Sequence, residues 1–144
     1  VLNAATLLST TSRLPFNPTY TPAKTTITAT DFALKQDFIT DNFPVSLATG
    51  DLDGDGKIDL AVVNQQSNNV SVFKNTSSLG SITASSFADR VDFATGTTPL
   101  SVIISDLDGD GKQDMIVANA NSSNVSIYRN TSSGGTISFA PVVD

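Results

Sequence analysis

The stretch Asp51-Leu52-Asp53-Gly54-Asp55-Gly56-Lys57-Ile58-Asp59 and its copy Asp106-Leu107-Asp108-Gly109-Asp110-Gly111-Lys112-Gln113-Asp114 decide how this sequence is read. Four carboxylates within nine residues repel one another unless a cation sits among them. Oxygen donors at positions 1, 3 and 5, a glycine at 6 for the sharp turn and a backbone carbonyl at 7 match the way a loop wraps a calcium ion. The side-chain ligands are read as Asp51, Asp53, Asp55 and Asp59, with the carbonyl of Lys57 beside them. The second set is Asp106, Asp108, Asp110 and Asp114 with the carbonyl of Lys112. Hard oxygen donors disfavour zinc, and a flexible many-ligand loop favours Ca²⁺ over Mg²⁺, which makes two Ca²⁺ sites. A solvated acidic turn without metal is the alternative, and recurrence at the same phase argues against it. An EF-hand would need a bidentate Glu at position 12 and flanking helices. Position 12 is Val62 or Val117, inside an apolar run of strand character, so that reading fails.

Working outward, residues 27–81 align without a gap onto 82–136, a period of 55 with more than half the positions identical. A third, partial copy, Phe139-Ala140-Pro141-Val142-Val143-Asp144, corresponds to Phe87–Asp92 with three residues deleted between. Each unit parses into four short strands between turn residues. The first has 45–49, 58–64, 70–75 and about 85–93; the second has 100–105, 113–119, 125–130 and about 137–143. Leu60–Val63 and Met115–Ala118 are continuous apolar runs, as in strands buried on both faces. A four-stranded unit of this size buries too little surface to stand alone, so neighbouring units must stack. The expected architecture is all-β: two four-stranded β-propeller-type blades at 44–93 and 94–144. Ahead of them come an extended N-terminal arm at 1–26, rich in Ser, Thr and Pro, and an orphan outer-type strand within 27–43.

Composition narrows the function. The 144 residues include no Cys, His or Trp, which removes disulfides, Cys/His zinc sites and His-dependent triads. All fourteen acidic residues are Asp, and Ser plus Thr make up about a quarter of the chain, a turn-and-strand composition. A net charge of −6 argues against a nucleic-acid surface. There is no apolar run long enough for a membrane span. No phosphate loop or acid/base pair stands outside the metal loops, so no enzyme is expected. The chain begins at Val1 and is read as a processed mature chain, a piece of something longer being the alternative. Five N-x-S/T sequons, at Asn69, Asn75, Asn121, Asn124 and Asn130, are candidate glycosylation sites, and they cluster on turns bracketing the third strand of each unit.

The motif D-x-D-G-D-G-K-x-D before an apolar strand, with Pro44 and Pro99 seven residues ahead, resembles the FG-GAP (VCBS-type) repeat over roughly residues 27–144. That family builds the calcium-bearing β-propeller of integrin α-subunits and of many secreted bacterial proteins. The resemblance implies that the calcium loop links the first and second strands of a blade. Phe38 and Phe93 remain, whereas most name-giving glycines are replaced and only Gly96 persists. The function this implies is a non-catalytic, extracellular, calcium-binding module for adhesion or head-to-tail structural self-assembly. Two blades leave faces uncovered, so the expected partner is a second copy, in a filament or ring. A lectin-like propeller fragment that binds glycans, or the non-catalytic part of a larger secreted enzyme, is the alternative.

Overall fold

The computed structural model describes Thr26, Thr28 and residues 32–141. The chain divides into two units, Val1–Leu34 and Lys35–Asp144. Apart from Thr26, the expected arm at 1–26 lies outside the described residues, as do the last residues of the expected strand 137–143. All the described strands lie in the second unit.

That unit is all-β, with no helix among the described residues, in two antiparallel sheets. The first is a meander of β1 (Pro44–Gly50), β2 (Asp59–Asn64), β3 (Asn69–Phe73) and β4 (Val91–Ala94), in that spatial order. The second contains β5 (Pro99–Ser105), β6 (Asp114–Asn119) and β7 (Asn124–Tyr128). Registers repeat with the sequence: Gly50 faces Asp59 as Ser105 faces Asp114, and Asn64 faces Asn69 as Asn119 faces Asn124. Pairing slips at the same place in both units, between Pro44 and Ser46 and between Pro99 and Ser101. The ring nitrogen of proline carries no hydrogen for the ladder, which confines it to a strand start or bulge. The residue before each proline, Phe43 or Thr98, has positive φ (61° and 57°), and its carbonyl accepts the amide of Gln65 or Ala120 (both 2.9 Å).

Fourth strands depart from expectation. The stretch 85–90 is not a strand; beyond β3 its one ladder pairing is an Asn75–Phe87 bridge, and pairing resumes at Val91. A small turn, in which Ser86 Oγ accepts the Thr83 amide (2.8 Å), bends the chain away first. In the second unit the counterpart is a single Asn130–Phe139 bridge. Nor does a strand form among the described residues of 27–43, where Gln36–Ile39 has no β3-like neighbour to pair with.

Period-two alternation sends Ala61 and Val63 of β2, and Val70 and Val72 of β3, to one face. There they meet Val102, Met115, Val117 and Tyr128 of the second sheet, with Leu52 from the first acidic loop completing the core. The blades therefore do stack, as their small size requires. Polar ties reinforce the seam: Asn68 Oδ1 accepts the Thr98 amide (2.8 Å), and Tyr128 donates its hydroxyl to the Ala94 carbonyl.

Gly50 marks the tightest contact, since a Cβ there would lie 2.6 Å from Ile104 Cγ2. Gly50→Ala should therefore cost about 1–3 kcal/mol in urea unfolding, and adding Ile104→Ala should recover part of the overpacking loss. Unchanged stability in Gly50→Ala would mean the blades are not packed this closely.

Candidate metal centre

Each acidic loop joins the first and second strands of its sheet, β1 to β2 and β5 to β6. Asp51 folds back over the loop and accepts the amides of Gly54 (2.8 Å) and Asp55 (3.2 Å) on Oδ1, and that of Gly56 (2.9 Å) on Oδ2. Gly54 and Gly56 reach φ of 77° and 83°, and Gly109 and Gly111 match them at 77° and 86°, a conformation that glycine adopts without strain. Asp59, at the start of β2, crosses the loop's neck to accept the Leu52 amide (2.9 Å) and the Asn75 amide (2.8 Å). The second loop repeats this pattern through Asp106 and Asp114, with Asp114 taking the amides of Leu107 (3.0 Å) and Asn130 (2.8 Å).

The result is convergence. One carboxylate oxygen from each of Asp51, Asp53 and Asp59 lies within 4.8 Å of the others, and Asp106, Asp108 and Asp114 do the same. Asp55 and Asp110 are not part of these triples. Asp55 instead accepts the Lys57 amide (2.9 Å) and faces its ammonium at 3.5 Å, while Asp110 accepts the Lys112 amide (2.9 Å). The Lys112 ammonium reaches the Ser132 carbonyl (3.0 Å).

Burial makes the convergence costly. Asp59 and Asp114 are buried, and so is Asp53 in the first loop. Desolvation, reinforced by the charges of Asp53 and Asp55, pushes the Asp59 carboxyl above its usual range against the pull of its two amide donors. Hydrogen-bonding from the Lys57 amide holds Asp55 below the usual range. Hard oxygen donors crowded together around partly dry space fit a divalent cation such as calcium.

Sequence reasoning missed a pair of cations. Lys74 lies 2.6 Å from Asp53 Oδ2, and Arg129, one repeat later, lies 2.6 Å from Asp108 Oδ2 and 3.2 Å from Asp110. Hydrogen-bonding by Arg129 holds Asp108 below the usual carboxylate range, and Asp53 raises Lys74. The signal was a basic residue recurring just beyond the third strand, at 74 and 129.

The sequons acquire a structural meaning. Asn130 is buried, and its Nδ2 donates to the carbonyls of Leu52 (2.8 Å) and Gln113 (2.7 Å). A glycan on that nitrogen would displace both bonds inside the seam, so glycosylation at Asn130 does not fit the fold. Asn75 Nδ2 is engaged by the Ile58 carbonyl (2.8 Å) and Asn69 Nδ2 by Asp41 (2.8 Å). Asn124 Oδ1 accepts from Asn119 (3.0 Å), and Asn121 is exposed.

A family model described as an FG-GAP-like repeat matches residues 51–117 and again 106–144, covering both loops and the strands after them. The chain belongs to the FG-GAP-like repeat family. Comparisons with curated proteins and with solved structures give no match. The FG-GAP-like assignment agrees with two blade-like sheets whose acidic loops link first and second strands.

Removing one internal cation tests whether the carboxylates need a counter-charge. Lys74→Met, which leaves the buried Asp53 unpaired, should lower the melting temperature in EGTA more than Arg129→Met does, because the second pair is exposed. The Lys74→Met deficit should shrink when calcium is added. Equal losses in calcium and EGTA would show that Lys74 acts only through packing.

Proposed function

We propose that this chain is a non-catalytic, extracellular, calcium-braced structural module that works through its blade surfaces in adhesion or self-assembly. The observation that carries the reading is the twofold convergence of three aspartates, each set pinned by backbone amides at a strand-to-strand turn. Asp51, Asp53 and Asp59 would hold the first ion, and Asp106, Asp108 and Asp114 the second. Asp55, Asp110 and the carbonyls of Lys57 and Lys112 lie on the same loops and would complete the shells. Bound calcium would offset the repulsion within each loop and fix the turn that sets the β1–β2 and β5–β6 registers, so binding free energy becomes folding free energy.

The FG-GAP-like family supports a repeat module rather than an enzyme, and an external setting supplies calcium at the concentrations that loops of this kind use. No described helix is long and apolar enough to cross a membrane.

Calcium at about a hundredfold over its Kd should stabilise the fold by about 2.7 kcal/mol per site, read as a rise in melting temperature over EGTA. Asp53→Ala and Asp108→Ala should each abolish one site by calorimetric titration. Burial raises the Asp59 carboxyl above the ordinary aspartate range, so protons compete with calcium there at a higher pH than at an exposed aspartate. Affinity at the first loop should therefore begin to fall, as pH is lowered, above the usual aspartate range. Equal melting temperatures in calcium and EGTA would refute the reading.

A further inference from the structure

Repeat symmetry gives each blade two kinds of face, and among the described residues one seam brings them together. On blade 1 the trailing face consists of Leu52, Val70 and Val72, which are 1%, 0% and 2% exposed beneath the second sheet. Their counterparts one repeat later are Leu107, Val125 and Ile127, which are 55%, 48% and 38% exposed. Ile103, the counterpart of Ala48, is 55% exposed as well. The same motif and strand pattern thus end in burial in blade 1 and in open apolar surface in blade 2.

The leading side of blade 1 is built like the surface that fills the existing seam. In the seam, Phe93 of blade 1 packs edge-on against Phe139 of blade 2 at 5.1 Å. Phe38, one repeat before Phe93, packs edge-on against Phe87 at 5.0 Å. The carbonyl of Ala94 is taken in the seam by the Tyr128 hydroxyl. The carbonyl of Ile39, its counterpart, is taken by Arg90 (3.1 Å), because Phe73 stands where Tyr128 stands and has no hydroxyl. Blade 1 therefore already carries, in place, the aromatic contact that a preceding blade's fourth strand makes. Leu47, the counterpart of the buried Val102, remains 56% exposed on that side.

We infer that the open face of blade 2, around Ile103, Leu107, Val125 and Ile127, docks the leading side of blade 1, around Leu47, of a second copy of this chain. The contact extends the existing seam's pattern to the Leu47 side of blade 1, whose Val62 and Phe73, the counterparts of Val117 and Tyr128, are already buried within the chain. It is heterologous, so it leaves an unused face at each end and propagates until a ring closes. The inference deepens the proposed function, but it stands on the faces and not on the loops. Calcium titration reads the loops and sedimentation reads the faces, so either can fail alone.

The test is sedimentation of the full chain in calcium, alone and as Leu47→Asp and Ile103→Asp variants. Both positions are exposed, and circular dichroism checks that each variant retains its strands. The unmodified chain should sediment as a concentration-dependent assembly and each variant as a monomer. Mixing the two variants should restore one interface and give a dimer, since each supplies the face the other lacks. Val125→Asp, on the same open face and away from the acidic loop, should replace Ile103→Asp with the same result. A monomeric unmodified chain would overturn the inference. So would a Leu47→Asp variant that assembles normally, which would mean that open faces meet each other, or a mixture that stays monomeric.

Discussion

Charge repulsion inside a turn is the constraint on which the rest of the structure depends. The chain places four aspartates where β1 must reverse into β2, and again where β5 reverses into β6. It then uses all four of each set as acceptors for loop amides, and Asp59 and Asp114 also take the amides of Asn75 and Asn130 beyond the third strands. Those bonds fix the turn, and the turn fixes the strand register, since slipping by one residue would send Ala61 and Val63 to the wrong face. The same carboxylates that strain the loop therefore organise the sheet, and cations from Lys74 and Arg129 relieve part of that strain within the chain itself.

The seam between blades couples this local chemistry to the core. Leu52 belongs to the acidic loop, yet its side chain lies in the hydrophobic cluster and its carbonyl receives Asn130 from the other sheet. The Asn130 amide in turn holds Asp114. Loop 1, the core and loop 2 thus share one residue-to-residue path, in which packing of one blade on the next positions carboxylates in both.

Much of this was legible in the sequence because the repeat is so regular. The 55-residue period, the strand order and the loop positions follow from apolar runs bounded by Asn, Ser, Asp and Gly. The fourth strands were less readable. Ser85–Phe93 has strand-like composition, but Ser86 is drawn into a side-chain turn that local pattern does not reveal. Asp55 and Asp110 were grouped with the other carboxylates by spacing alone; in the fold they lie outside the two triples and accept the backbone amides of Lys57 and Lys112. Asn75 and Asn130 illustrate the limit most clearly. A sequon and a structural asparagine look the same in one dimension, and only the distant carbonyls that take their Nδ2 groups, those of Ile58 and Leu52, tell them apart.

Phe73 and Tyr128 sit at the same station of successive repeats, yet the carbonyls before them are satisfied by different groups, a guanidinium in one case and a phenol in the other. Tandem segments that share more than half their positions invite unequal recombination, and most crossovers within the 55-residue frame would yield a chain of apparently sound composition. A crossover that separated Phe73 from Arg90 would strand a carbonyl without a donor. Such paired divergence gives each copy its own address in the array and keeps duplication from being silently interchangeable.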